Sequence, residues 1–558
     1  MTGPGRNVLV LHWANSFQRH RPTLQAHLRV FEASRCRHRV TYLNAREGVP
    51  ARLVRRAFDV VVLHTTLLNQ RWTPWLPWLR DRLAWLADFD GVTVALPQDE
   101  FSFSETLDDW LADLNVDVIG STFGKEAWPV LYPRMHTRAR LVTCWPGYVD
   151  LATAARRVRE CHPARERPLD VVYRSFDLPY WLGSHGQLKT RLPYVVSEAA
   201  GRLGYRCDIS NDAKDAIFGE RWFDFLASGR ATIGVESGTG VLDRRGEIRA
   251  AIQAMLRERP EMTFAEVSRR LPPGWDRHRF LTVGPRHFEA MTTRTCQVLV
   301  EGEYAGLLQP NVHYLPLKAD FSNVEAVLES LRDHDRLDAI TARAYDDFCR
   351  SERFTYAGMA ATLDEAIGQV DSRAQRPNRL LTGVGLRLAS AWGRLGLVGS
   401  RFYPGVVFAQ ECCRTPGLLG LGIALLRRHD SLVACGKELL RFAWFLRAAR
   451  LGLVCHVAFD PGRGVVRWIS QPAGPNDWDA VEVAIRQRRV TRLVWDYAAL
   501  YAKGHALFRT GLNFHDFGDC AFPLVATEAA RRPERFLALL RSVFPTSGPA
   551  TPVRSEAA

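Results

Sequence analysis

Reactive side chains follow directly on five short apolar runs. NVLVLH ends in His12 and is followed by Trp13, FDVVVLH ends in His64 before Thr65, and VTVALP leads into Gln98-Asp99-Glu100. Further on, LDVVY precedes Arg174 and Ser175, and ATIGV precedes Glu236-Ser237-Gly238. A carboxylate within hydrogen-bond reach of a hydroxyl takes its proton, which makes Asp99 the first candidate base and Glu100 the next. His12 and His64 offer the same chemistry. Arginine, lysine and backbone N–H groups neutralise charge that builds up on a leaving anion, and Arg174 and Lys189 are the cations at hand. Gly183 and Gly186 precede a helix and offer N–H donors at its start. Ser237, Gly238 and Gly240 in VESGTG allow close approach of a ligand. No Asp-x-Asp pair stands at a strand end, and the eleven cysteines form no C-x-x-C pair, so no metal is expected.

Each of these residues also has a plain structural reading. Arg174 can be an ion-pair partner, Asp99 and Glu100 can cap the run that starts near Ser104, and His12 and His64 can pack strand ends. VESGTG can be only a turn. Asp177-Leu-Pro-Tyr-Trp181 can stack on a sugar or plug the space between domains.

The runs that carry these residues are rich in Val, Leu and Ile and alternate with amphipathic stretches. That pattern predicts parallel sheets covered on both faces. It begins in the first 150 residues, pauses over the basic stretch 151–167, and restarts at Leu169. The predicted fold is therefore α/β, with two Rossmann-like domains facing a cleft. Ligands of such sheets bind beyond the carboxyl ends of the strands, which is where the residues above fall. The expected domains are 1–150 for the acceptor side, 151–167 as linker and 168–371 for the second Rossmann-like unit. Residues 372–545 form a basic, mostly helical accessory region, and 546–558 a disordered tail.

Within residues 284–318, GPRHFEAM opens a helix, a strand-like run follows, and EGEYAG forms an acidic turn before a second strand. Phe288-Glu289-Ala290-Met291 resembles the core of the Phe-x-x-x-x-Glu-Ala-Met motif of GT-B glycosyltransferases. FLASGRATIGVESGTGVLDRRGEI (225–248) and EGEYAGLLQPNVHYLPLKADFSN resemble the bacterial surface-polysaccharide branch, including spore-maturation-like enzymes. The resemblance covers roughly 165–370. It implies a nucleotide-sugar donor site in which Glu289 holds the ribose hydroxyls, with Arg286, His287 and Tyr304 in the same stretch joining the donor set. A second glutamate usually stands eight positions before the first, but Leu281 occupies that position here. Glu301 or Glu303 is expected to take its role.

The implied activity is transfer of a sugar from a nucleotide-sugar to a hydroxyl of a cell-surface glycan or lipid-linked acceptor, with no obligatory cofactor. A nucleotide-sugar epimerase and a non-catalytic scaffold of a polysaccharide assembly complex are the alternatives. Residues 372–558 carry 26 Lys+Arg against 13 Asp+Glu, which leaves 48 against 47 for the rest. The excess points to an anionic membrane surface as partner of 372–545. No nucleic acid is expected, because no helix-turn-helix or RNA-recognition signature is present. The N-terminus lacks a signal pattern, and the longest apolar run, 417–426, stops at Arg427-Arg428, short of the roughly 18 residues a span needs. A cytoplasmic protein, peripheral on the inner face of the membrane, is the expectation.

Overall fold

The computed structural model describes residues 5–370, except 14–21, 46–48, 50, 74, 213–214, 218, and residues 409–544, except 416, 430, 451–453, 455, 470–475, 497–519. Residues 372–408 of the predicted accessory region and the predicted tail 546–558 lie outside the described residues. The described residues divide into two compact units, one within 5–370 and one within 409–544.

The first unit holds two parallel sheets. β1 (Asn7–His12), β2 (Arg39–Asn44), β3 (Val60–His64), β4 (Val92–Leu96), β5 (Val118–Ser121) and β6 (Arg140–Thr143) stand in the order β2-β1-β3-β4-β5-β6. β3 and β4 are buried along their whole length, which is why their sequences, VVVLH and VTVAL, are mostly apolar. The second sheet is β13-β12-β9-β7-β8, built from β7 (Leu169–Arg174), β8 (Cys207–Ser210), β9 (Gly229–Gly234), β12 (Cys296–Val300) and β13 (Leu315–Leu317). Both orders reverse beside the first strand. The crevices between β1 and β3 and between β7 and β9 are therefore the topological switch points.

One feature was not legible in the sequence. VESGTG is not a free turn: β10 (Ser237–Thr239) pairs antiparallel with β11 (Phe280–Thr282). The residues between them hold the helices Glu247–Glu258 and Phe264–Ser268, which cover a small core of Val241, Ile252, Val267 and Trp275. Gly238 has φ +118°, and a Cβ there would meet the Phe280 carbonyl oxygen at 1.9 Å. Its missing side chain serves this pairing, not a ligand.

The stretch 151–167 contains a helix, Leu151–Glu160, and is tied down after it. Buried Arg167 donates to the carbonyls of Gly229, Thr293 and Arg294 at 2.8–2.9 Å. The helix Tyr356–Gly368 returns to the first sheet, where Asp364 accepts from Ser34 at 2.5 Å and lies 2.7 Å from His38. Cys36 joins them in a cluster whose ligand-type atoms lie within 4.8 Å of one another. The Arg6 N–H donates to His38 Nδ1 at 3.1 Å, so Nε2 is the protonated nitrogen and faces Asp364. A protonated Nε2 has no lone pair for a metal, and the cluster serves to pin the returning helix.

The second unit is described by itself. It contains a four-stranded sheet, β14 (His456–Asp460), β15 (Val465–Ile469), β16 (Arg492–Asp496) and β17 (Cys520–Ala521), in that order. The helices Leu418–Leu426, Leu432–Arg450, Trp478–Arg486, Pro523–Arg531 and Pro533–Arg541 accompany it. Helices predominate, with a small sheet among them. No helix among the described residues is long and apolar enough to cross a membrane.

Candidate functional site

The two switch points belong to one unit and face a common cleft. On the first wall, Asp99 follows β4 with a left-handed φ of 50°. A non-glycine residue is held there only when its surroundings determine it. Arg71 does so. Its buried guanidinium donates to the carbonyls of Gln98 (3.1 Å), Asp99 (2.6 Å) and Ser102 (2.9 Å), and to Asn69 Oδ1 (2.9 Å). The Asp99 residue is exposed, yet the protein packed around its carboxyl pushes the pKa above the ordinary carboxylate range, with Arg71 and Lys189 opposing. Lys189 belongs to the helix Gly183–Arg202 of the second domain, so the field at Asp99 is set from both walls.

Glu100 is not a base. Its carboxylate is fully buried and accepts from Ser121 Oγ, Thr122 N and Thr122 Oγ1, each at 2.6 Å, and from Tyr132 OH at 2.5 Å. Four donors fill the four lone-pair sites of an ionised carboxylate. Burial pushes its pKa up, but this donor set satisfies the charged form. It anchors the end of β5. Glu100→Gln would turn an amide N–H₂ toward these donors and is expected to cost about 1–3 kcal/mol in urea unfolding.

His12 ends β1, half-buried at the cleft. His64 is buried, and the Thr66 N–H donates to its Nδ1 at 3.2 Å. The proton therefore sits on Nε2, which donates to His27 Nδ1 at 3.0 Å. Burial lowers the His27 pKa to about 4, so it stays neutral at ordinary pH. This pair packs a strand end, which removes His64 from the candidate bases.

On the second wall, a pocket opens at the β7/β9 switch point. Its lining includes Tyr173, Lys189, Trp222, Ser237, Arg286 and His287. The Arg286 guanidinium lies 5.2 Å from the Trp222 ring centroid and 5.7 Å from that of Tyr173, and it donates to the Arg174 carbonyl. It pairs with no carboxylate among the described residues. His287 accepts the Gly284 N–H at Nδ1 (2.9 Å), which leaves its proton on Nε2. Burial lowers its pKa to about 4, so it is a neutral donor.

Glu289 stands beside this pocket, where Trp222 donates to Oε2 and Thr23, from the first domain, to Oε1, both at 2.8 Å. Two of its four lone-pair sites remain for other donors.

Several predicted donor residues are engaged elsewhere. Arg174 is bound to Asp208 at 2.7 Å, donates to the carbonyls of Tyr173 and Asp208, and lies over Phe225. It ties β7 to β8 and is not available to a phosphate. At the start of the helix Gly183–Arg202 one of the four free donors is already used, because the Ser184 N–H donates to Asp276 at 2.9 Å. Tyr304 is buried with its hydroxyl on the Val300 carbonyl at 2.5 Å, so it contacts no ligand. Glu303 is exposed and pairs with Arg279 at 3.2 Å, while Glu301 is exposed after β12.

Sequence reasoning missed two residues. Trp222 lines the pocket and binds Glu289, but its helix carries no ligand signature. Glu236 was noted only as a strand-end residue. It is buried and accepts the Tyr304 N–H at 2.6 Å, which fixes the turn where Tyr304, Ala305 and Gly306 all have positive φ.

Two parallel sheets with switch points facing one cleft, and a last helix returning to the first domain, define the architecture. It is the GT-B arrangement. No family model and no curated protein matches the chain. Among solved structures, Anabaena Alr3699/HepE in complex with UDP is similar at 11% identity over 65% of this chain and 100% of that chain, with a TM-score of 0.35. A structure described as trehalose-6-phosphate from E. coli bound with UDP-2-fluoro glucose is similar at 12% identity, over 65% of this chain and 99% of that chain, at 0.34. An alpha1,3-fucosyltransferase is similar at 8% identity, over 67% and 93%, at 0.35. Scores this low carry no argument, and the GT-B reading rests on the strand orders.

Proposed function

We propose that the protein is a glycosyltransferase that moves a sugar from a nucleotide-sugar to a hydroxyl of a surface glycan or lipid-linked acceptor. The observation that carries this reading is the pocket at the β7/β9 switch point, where Arg286, Lys189 and the Nε2–H of His287 gather opposite Asp99. Cationic and neutral donors on one wall suit a diphosphate leaving group, and a carboxylate on the other suits an acceptor hydroxyl. Glu289 uses its remaining lone pairs for the ribose hydroxyls. His12 is the second candidate base, and Glu301, exposed after β12, is assigned to the transferred sugar. No metal or cofactor is required by this scheme.

Leu281, in place of the usual second glutamate, favours one other reading, a non-catalytic scaffold with the same fold. Calorimetric titration with UDP, GDP, ADP and dTDP separates the two. One nucleotide is expected to bind, and Glu289→Ala to weaken it by about 1–3 kcal/mol. Thr23→Val removes the contact between domains but not the carboxylate, and is expected to leave affinity nearly unchanged. If no nucleotide binds at millimolar concentration, the transferase reading fails and the scaffold takes its place.

A further inference from the structure

In the second unit, the helix Leu418–Leu426 reads LLGLGIALL and has no polar side chain. One side packs inward through Leu418, Leu421 and Leu425. The other carries Leu419, Ile423 and Leu426, spaced i, i+4, i+7 on one stripe, at 57%, 43% and 43% exposure. Leu432, which opens the next helix, is 67% exposed. Single exposed leucines are ordinary, but three apolar side chains on one helix stripe with a fourth opening the next helix are not.

The sequence on either side of this stripe is net positive. Arg414 precedes the helix and Arg427-Arg428 follow it; the sequence 427–430 is Arg-Arg-His-Asp, net positive. Arg414 and Arg427 are exposed and pair with no carboxylate among the described residues. The neighbouring acids face inward. Glu411 is buried against Arg450 (3.3 Å), and Glu438 is buried under the Val525 N–H (2.8 Å). Glu528 is buried and paired with Arg428 at 3.4 Å.

We propose that Leu419, Ile423, Leu426 and Leu432 insert shallowly into an anionic lipid bilayer, with Arg414 and Arg427 at its headgroups. An apolar stripe flanked by cations suits the boundary between acyl chains and headgroups. A second copy of the chain suits it less. A helix of nine residues is about 13 Å long, and four side chains cannot supply the roughly 800 Å² per partner of a stable interface. The site needs neither donor nor acceptor, so its test is independent of the transferase reading.

The test is co-sedimentation of the full chain with vesicles of phosphatidylcholine alone or mixed with phosphatidylglycerol, at low and high salt. Binding is expected to the mixed vesicles and to weaken with salt. Leu419→Ser/Ile423→Ser/Leu426→Ser is expected to lower partitioning roughly tenfold or more. Arg414→Gln/Arg427→Gln is expected to lower it roughly fivefold per arginine on mixed vesicles only. These residues are exposed, so both variants should melt like the parent, and Leu432→Ser gives a third, independent reading. Equal binding to both vesicle types, or no loss in the serine variant, overturns the proposal. So does a dimer by light scattering that the serine variant dissociates.

Discussion

Asp99→Asn is expected to lower turnover by about 10²- to 10⁴-fold and to leave nucleotide affinity unchanged. The amide keeps the size of the carboxylate but takes no proton. Its place in the loop is secured by Arg71 through the backbone carbonyls of residues 98, 99 and 102, so the substitution leaves those bonds intact. The pH dependence follows from the same surroundings. The working form of a base is ionised, so activity falls as pH drops through its pKa. The protein packed around the carboxyl raises that pKa above the ordinary carboxylate range, and the acid limb of the rate profile should lie correspondingly high. Lys189 opposes the rise; Lys189→Met should move the limb to still higher pH. Rate profiles of the parent and both variants check this. A parental profile in Asp99→Asn would transfer the role to His12.

The sheets were legible because buried parallel strands need unbroken apolar runs and the chain supplies them. The VLVL of β1 and the VVVL of β3 are examples. The strand-end rule also located the cleft, because it depends only on where each run stops. It did not tell which strand-end residue is available for chemistry. Arg174 and Asp208 are 34 positions apart and meet only once β7 pairs with β8. Glu100 looks like a second carboxylate beside Asp99, but the left-handed bend at Asp99 separates the two, and Glu100 is buried against Ser121, Thr122 and Tyr132. β10 and β11 are three residues each, too short to show a period, and forty residues separate them. Trp222 gained its role from tertiary packing alone.

Arg286→Gln is expected to weaken binding of the nucleoside diphosphate by about 1.5–3 kcal/mol, roughly 10- to 150-fold, the range for a hydrogen bond to a charged group. Three observations make Arg286 the residue to choose. It lines the pocket, no carboxylate among the described residues neutralises it, and its plane is held near Trp222 and Tyr173. A guanidinium fixed in this way has lost its rotamer freedom before the ligand arrives, so little of the contact is spent on ordering it. Arg286→Lys should recover only part of the loss, since a lysine keeps the charge but neither stacks nor forks. Arg174→Gln provides the contrast. Its guanidinium is committed to Asp208, so it should lower the melting temperature more than it lowers affinity. Calorimetry and thermal melts on the three variants decide it. If Arg174→Gln lost the nucleotide while Arg286→Gln kept it, the phosphates would lie against β7 and β8 and not at the start of the helix Pro285–Thr292.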